Sequence, residues 1–546
     1  MVAKKEWWQK TTIYQIYPRS YKDSNNDGIG DIQGIISKLD YIQEVGFETI
    51  WISPFFSSPQ KDWGYDVSDY LGIAPEYGTL SDVEELIQEV HLRGMKILFD
   101  LVLNHTSDQH PWFQESRSSI NNPKRDWYIW RDGRGKKPPN NWKSIIGGSG
   151  WNYDPHTDQW YYTSFLPFQP DLNYRNPAVV DGMFDVARYW LDKGIDGFRL
   201  DIFHSLYKDK NFRNNPLSIQ LIPDAYSGGF FQKWQYNLNQ PETAQFAKDL
   251  RILIDSYSPK RLLLGEIYAD VNTTAEYLGP ENDRLNLVFL WELKNVQPNL
   301  EDLMKIVKEF EKRYPEPFTP VYVFGNHDSK RLMTRISDDE RIAALLALFQ
   351  FTTRGVPVTY YGEEIGMSEV TLPAATAKDP LGRRFKFIPD ILLKWLNLYV
   401  NRDGCRTPMQ WDSTENAGFC DAESHPWLPV NENYSKINVA SEKKEKGSLL
   451  RIYQQLLHLR KDSKALHSGR LKLAEVEHLL AYRRIHDQEI LLILINFDSR
   501  EVEYQESLNF GEVIFEIGEF RRSAKGGIII SPFSGLIITE KSILNG

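Results

Sequence analysis

Gly197-Phe198-Arg199-Leu200-Asp201 sets an arginine and an aspartate, two residues apart, at the end of a short apolar run. Leu262-Leu263-Leu264-Gly265-Glu266 repeats the plan with a glutamate, and Phe324-Gly325-Asn326-His327-Asp328 with a histidine and an aspartate. Outward from these blocks, apolar and β-branched runs recur at 13–17, 49–53, 96–101, 286–290 and 357–361. Together with 197–201, 262–266 and 321–325 they predict eight strands. Helical patterns lie between many of them. The stretch 81–93 opens with Ser81-Asp82-Val83-Glu84, read as a capping box, and stops before Gly94. Eight strands with interposed helices predict an α/β fold, a (β/α)8 TIM barrel, which delivers side chains to one face at the strand ends. An open doubly wound sheet would want a glycine-rich phosphate loop after the first strand, and Gly28-Ile29-Gly30 fits that poorly.

The spacing of the runs predicts the domains. The barrel takes 1–104 and 177–465. The third and fourth strands are too far apart for one crossover, so 105–176, with Pro138-Pro139-Asn140-Asn141-Trp142, reads as a loop-rich domain inserted over the barrel mouth. A second insertion falls near 369–434. From 466 to 546 short alternating strands, such as 489–496 and 512–517, predict a terminal antiparallel β-sandwich.

The 546 residues carry a net charge of −10, with 41% hydrophobic and 25% charged, as in a globular protein. The acidic balance argues against nucleic acid and anionic membranes as partners. The 16 Trp, 28 Tyr and 28 Phe suit sugar faces, although most such rings pack cores. The N-terminus lacks a signal-like apolar stretch and no run is long enough to cross a bilayer. Two cysteines, Cys405 and Cys420, form no disulfide framework. A cytoplasmic protein, monomer or homodimer, is expected. Three acids at one mouth suit cleavage of a glycosidic bond, which needs a proton donor and a carboxylate beside the anomeric carbon. An isolated acid is more often a surface or salt-bridged residue; the ordered strand-end placement argues against that here.

Asp100-Leu101-Val102-Leu103-Asn104-His105, Gly197–Asp201, Gly265-Glu266 and Asn326-His327-Asp328, in order, resemble the blocks of the α-amylase superfamily of glycoside hydrolases. Gln169-Pro170-Asp171-Leu172-Asn173 resembles its oligo-1,6-glucosidase and α-glucosidase branch. The resemblance implies that Asp201 is the nucleophile, Glu266 the acid/base and Asp328 the third carboxylate that orients the sugar. Arg199, beside the nucleophile, should favour its ionised form, while Glu266 should sit where a proton is retained. Retention of configuration would place the two carboxyl groups about 5–5.5 Å apart. His105 and His327 resemble the histidines that hydrogen-bond sugar hydroxyls; the chain has no His-Glu-x-x-His zinc spacing. Tyr65 would stack on the terminal sugar. Asp62 would bind its outer hydroxyls and pair with Arg402, or alternatively Arg406, closing the pocket behind one glucose. Phe165 would form an apolar wall or pack within its own loop.

Asp23-Ser24-Asn25-Asn26-Asp27-Gly28-Ile29-Gly30-Asp31 alternates acids and amides before a glycine turn, as calcium loops do. Asp23, Asn25, Asp27, Asp31 and the Ile29 carbonyl would ligate a structural Ca2+, or Mg2+; the alternative is a metal-free turn held by side-chain hydrogen bonds. Asn104 resembles the calcium-binding asparagine of true amylases, but no metal is expected there in this branch. Ile202, after the nucleophile, is closer to the valine that accompanies α-1,6 preference than to the threonine or alanine of α-1,4 enzymes. His204 stands where the branch usually has asparagine. The expectation is a retaining, exo-acting α-glucosidase on small α-glucosides, leaning to α-1,6 bonds. A transglucosidase or sucrose isomerase would use the same glucosyl-enzyme, although Ser329-Lys330-Arg331-Leu332 lacks the charged aromatic clamp of sucrose isomerases. A non-catalytic transporter heavy chain shares the fold, but needs an anchor and tolerates loss of the acids.

Overall fold

In the computed structural model, residues 5–223, 227–294, 296–395, 398–487, 489–505 and 510–540 are described. The eight expected strands form one parallel sheet: β1 (Ile13–Ile16), β2 (Thr49–Ile52), β3 (Lys96–Leu101), β4 (Gly197–Leu200), β5 (Leu262–Gly265), β6 (Leu287–Val288), β7 (Val321–Val323) and β8 (Val356–Tyr360). Their order is 6-5-4-3-2-1-8-7, and a parallel bridge between Leu290 and Tyr322 joins the two ends, so the sheet is a barrel.

Strand side chains alternate between two apolar layers. Ile13, Trp51, Leu98, Leu264, Val323 and Val358 fill the barrel interior. Their neighbours Tyr14, Ile50, Ile97, Phe99, Leu263 and Tyr322 point outward into the core beneath the helices. Burial on both faces explains why the strands read as unbroken apolar runs. The same parity sends Asp100 and Arg199 inward, and the register pairs them side by side on β3 and β4. Gly197 starts β4 at φ +152°, where a Cβ would lie 2.1 Å from the Leu262 carbonyl oxygen, so only glycine fits.

The helix after β2 spans Leu80–Leu92 and its capping box lies earlier than the sequence reading put it. Thr79 is the N-cap; its backbone N–H donates to Asp82 Oδ2 at 2.7 Å, and Asp82 N–H donates to Thr79 Oγ1 at 3.3 Å. Thr79-Leu80-Ser81-Asp82 carries the same signature two residues upstream of the Ser81 box.

Between β3 and β4 lies a three-stranded antiparallel sheet of Trp130–Arg131, Gln159–Tyr162 and Trp151–Asp154. Trp142, Trp151, Ile129 and Tyr162 form its small core. After β8 the chain runs through short helices and turns, including Pro380–Arg384, Asp390–Trp395 and Arg402–Arg406. The C-terminal strands Arg470–Ala474, Leu480–His486, Glu489–Asn496, Ser534–Glu540 and Phe510–Ile517 form a five-stranded antiparallel sheet, and a second sheet has three strands. Leu492, Leu494, Leu536 and Ile538 face the second sheet, while Leu491, Ile493, Ile495 and Ile537 join the main core. That second buried face covers the helix Glu340–Thr352, which is buried along nearly its whole length. Among the described residues no helix is long and apolar enough to cross a membrane.

Candidate active site

At the C-terminal ends of the strands one guanidinium organises three carboxylates. Arg199 Nη1 lies 2.8 Å from Asp100 Oδ1 and 2.8 Å from Asp201 Oδ1, and Nη2 lies 2.7 Å from Glu266 Oε2. Asp100 also accepts from Tyr65 Oη at 3.0 Å and Trp51 Nε1 at 3.2 Å. Asp201, Glu266 and Asp100 are all buried. Burial pushes the Asp201 carboxyl well up; Arg199 opposes this, and the charges of Glu266, Asp100 and Asp328 add to it. Burial likewise lifts Asp100 to about 6 against the pull of Arg199. Arg199 acts on Asp201 in the expected direction, but burial and the neighbouring carboxylates outweigh it. Three buried carboxylates share a single cation, which offsets only part of the cost of burying their charge.

The backbone turns sharply after Asp201. Ile202 adopts φ 34° and ψ 44°. A β-branched residue in the left-handed region is an outlier of the kind that persists at functional sites. The turn aims the Ile202 N–H at Glu266 Oε2, 3.1 Å away, which leaves Oε1 toward Tyr268 Oη at 3.4 Å.

A second acid group faces the first. Asp328 Oδ1 is 2.9 Å from Arg402 Nη1 and 2.7 Å from Arg406 Nη2. Arg402 Nη2 also reaches Asp62 Oδ1 at 3.1 Å and Asp379 Oδ1 at 2.7 Å. Of the two arginines weighed from the sequence, Arg402 meets Asp62, while Arg406 serves Asp328 and the His327 carbonyl oxygen. Gln169 Nε2 donates to the other Asp62 oxygen at 2.9 Å. Burial works against ionisation of Asp328, but His327, Arg402 and Arg406 together hold its carboxyl well below the usual range.

The His327 ring lies parallel to Tyr65, 7° between planes and 5.2 Å between centroids, and Tyr17 stacks on it at 17° and 5.8 Å. Gln15 Nε2 is 2.8 Å from His327 Nδ1. The amide donates, so the ring proton sits on the buried Nε2, 3.3 Å from Asp328 Oδ2. Burial drives His327 well below its ordinary value and His105 down to about 4, so both are neutral. Both ring nitrogens of His105 are engaged within the protein, Nε2 with the Tyr65 carbonyl oxygen at 3.0 Å and Nδ1 with Asn104 Nδ2 at 3.2 Å. Phe165 is half-buried beside it, with centroids 5.7 Å apart. His204 is buried, and its Nδ1 lies 3.4 Å from the Tyr268 N–H.

Next to Asn104 the structure places an ammonium. Lys208 Nζ is 2.9 Å from Asn104 Oδ1 and 2.7 Å from Asp171 Oδ2. In the 23–31 loop, Asp23 accepts from the N–H groups of Asn25, Asn26 and Gly28, and Asp31 from those of Ser24 and Gly34. Burial raises the Asp23 carboxyl, Asp27 adds to it, and no ion pair reaches Asp23, Asp27 or Asp31 among the described residues. No group of three or more His, Cys, Asp or Glu is gathered for a metal among those residues. Asn25 Oδ1 and Asp27 Oδ1 accept from the Asp27 and Ile29 N–H groups, the bonds of a metal-free turn, while the donor set, all oxygen, is of the kind a hard cation takes.

Sequence reasoning passed over Asp100 and Asp379. Asp100 shares strand parity and a neighbouring register with Arg199, which could have revealed it. Asp379 precedes Pro380 and caps a helix, accepting from Leu381 N–H at 3.1 Å; that local role conceals its bond to Arg402.

A barrel whose mouth gathers paired carboxylates, arginines and neutral histidines defines a glycoside hydrolase. The alpha-amylase catalytic-domain model matches residues 15–469, and the chain belongs to that family. It is 39% identical to a probable alpha-glucosidase of Rhizobium meliloti (strain 1021), over 90% of this chain and 89% of that one. It is 36% identical to an oligo-1,6-glucosidase of Parageobacillus thermoglucosidasius, over 90% and 91%. Among solved structures, an alpha-glucosyl transfer enzyme superposes with a TM-score of 0.88 at 35% identity, covering 98% of this chain and 100% of that one. The trehalulose synthase of Pseudomonas mesoacidophila MX-45 gives 0.88 at 32%, with the same coverage.

Proposed function

We propose that this glycoside hydrolase is a retaining, exo-acting α-glucosidase that removes terminal α-linked glucose from short oligosaccharides or disaccharides, with a lean to α-1,6 bonds. The observation that carries this reading is the Arg199 guanidinium shared by Asp201 and Glu266, which supports a nucleophile and an acid close together on one anomeric centre. Glu266 donates its proton to the leaving oxygen as Asp201 attacks C1. Water then attacks the glucosyl ester, Glu266 takes its proton, and Asp201 leaves as the carboxylate. Asp328 and the His327 Nε2–H beside it hold sugar hydroxyls. The Asp62–Arg402 pair supports closure behind one glucose, hence exo action. Tyr65 and Phe165 supply apolar faces. The names of the oligo-1,6-glucosidase relatives, together with Ile202, favour the α-1,6 lean.

The test is NMR of the first product from isomaltose, maltose and sucrose. Release of α-glucose, fastest from isomaltose, is expected; first-formed β-glucose would rule out retention. Transfer to a sugar, or isomerisation of sucrose, is the second reading, favoured by the structural likeness to transfer and isomerising enzymes; it would appear as disaccharide products in place of free glucose. For the 23–31 loop we propose a structural hard cation held by Asp23, Asn25, Asp27, Asp31 and the Ile29 carbonyl. Millimolar Ca2+ should raise Tm over an EDTA-treated sample, and Asp23→Asn should abolish the rise; an unchanged Tm in wild type would leave a metal-free turn. The free, buried Cys405 and Cys420 support a reducing, cytoplasmic location.

A further inference from the structure

Past Asp328 the site opens into a cavity of about 1100 Å³ whose charged wall is one-sided. The charged residues lining it are Lys294, Lys330, Arg335 and Asp328. Asp328 is already matched by Arg402, Arg406 and His327. None of the three cations meets a carboxylate within 4.0 Å among the described residues. In a chain of net charge −10, this is a local excess of positive charge.

Lys294 stands nearest the chemistry. It ends the turn Trp291–Lys294 after β6, and its half-buried ammonium lies 5.7 Å from the centre of the Trp291 ring. Trp291 stacks on Tyr268, 7° between planes and 5.4 Å between centroids, and Tyr268 Oη lies 3.4 Å from Glu266 Oε1. These contacts set the ammonium on the side of Glu266 that opens to the cavity, where a leaving group stands. Burial lowers the Lys294 ammonium below its ordinary value, and Asp328 and Glu266 pull it back from beyond ion-pair distance. Arg335 donates only to neutral groups, the Phe324 and Lys294 carbonyl oxygens, and burial lowers it too. Lys330 is exposed, with its ammonium 5.8 Å from the Tyr399 ring centre. Much of the remaining wall is apolar, including Ile146, Leu221 and Phe230. Low-dielectric walls focus a field of one sign on whatever enters. A neutral leaving group takes hydrogen bonds from these donors but leaves their charge unbalanced; an anion supplies both the acceptor and the counter-charge.

We propose that this cavity receives an anionic leaving group, so that the preferred substrates are α-glucosides whose aglycone carries a carboxylate or a phosphate, bound by Lys294 with Lys330 and Arg335 adding to the field. The proposal rests on the retaining reading above and narrows its substrate class. Glu266 gives its proton to the glycosidic oxygen, and the bond from that oxygen to C1 breaks with its electron pair. Asp201 bonds to C1, and the anionic alcohol departs. Water then releases glucose as before.

The experiment compares initial rates on isomaltobionate and isomaltitol, which differ only in a carboxylate against a hydroxymethyl group at the end of the same open-chain aglycone. A second pair is the 2-α-glucoside of glycerol and its phosphate monoester. In at least one pair wild type should favour the anion about tenfold in kcat/KM, the scale of one hydrogen bond to a charged group. The preference should shrink in about 0.5 M NaCl, because the field is screened. A preference in the first pair alone names a carboxylate, and in the second alone a phosphate. Lys294→Met should lower the preference about tenfold, and Lys330→Met, at an exposed position, should lower it less. Circular dichroism checks that each variant is folded; should Lys294→Met misfold, Lys330→Met and the salt series decide. Equal kcat/KM within both pairs, a preference untouched by salt, or one unmoved in the folded variants overturns the proposal, while α-glucose released first from isomaltose still supports the retaining reading. Failure to release glucose from any of these substrates, isomaltose included, overturns both.

Discussion

Two carboxylate clusters face each other across this pocket, and their difference is one cation. Asp100, Asp201 and Glu266 share the single guanidinium of Arg199. Asp62, Asp328 and Asp379 share those of Arg402 and Arg406. The first cluster is deeply buried and undercompensated, so burial raises Asp201 and Asp100. In the second, burial is overcome at Asp328 and Asp379 by the arginines, and both carboxyls fall below their ordinary values. Asp62 is the exception, raised by burial despite Arg402 and Arg406. Fixed negative charge is thus held at Asp328, on the side that must bind hydroxyls and balance positive charge at the reacting carbon.

The comparison can be broken most severely at Asp201. Asp201→Ala should lower kcat roughly 10⁴-fold or more, measured as p-nitrophenol release from the α-glucoside. Activity within tenfold of wild type would mean that the nucleophile lies elsewhere. Arg199→Met leaves three buried carboxylates without a cation. It should destabilise the fold by about 3–5 kcal/mol in urea titrations and reduce activity by about 10³-fold, whereas a mild phenotype would show the cluster to be solvated. Arg402→Ala should act less, because Asp328 keeps Arg406. A loss of kcat/KM of about 10²-fold, expressed mainly as a raised KM, is expected from initial rates, since an orienting contact is lost while the reacting pair stays intact.

The smallest effect is the most diagnostic, because the two clusters should tilt stability in opposite directions. The folded pKa of Asp100, about 6, lies above its ordinary 3.8, so the folded state holds the proton more tightly. Its contribution is complete below the ordinary value and is lost as pH rises through about 6. Asp328 is shifted the other way, so its contribution is present above the ordinary value and lost as pH falls below it. Denaturant titrations from pH 3 to 7 should therefore show Asp100→Asn removing a fall of about 2 kcal/mol between pH 4 and 6, and Asp328→Asn removing a loss on the acid side. Slopes of the same sign in both variants would erase the distinction between the clusters.

Much of this was legible in the chain. The strands fall within two residues of their expected positions because runs buried on both faces carry a strong apolar signal, and turns interrupt them sharply. The acids stood out because they close those runs. The capping residue of the helix Leu80–Leu92 was misplaced by two positions, because Thr79 and Ser81 both satisfy the local signature and only packing chooses between them. Asp379 was hidden by its own local role as a helix cap, and the choice of Arg402 over Arg406 depends on a contact spanning 340 positions along the chain.

The order of residues determined by itself the barrel, its inserted segment and the identity of the strand-end acids, because these follow from local periodicity and from side-chain alternation along each strand. The tertiary structure alone decided which cation serves which carboxylate, and that Lys208 stands beside Asn104. Charge balance, burial and backbone strain are properties of what surrounds a group in space, and in this chain the groups that surround each acid come from strands and loops far apart in the sequence.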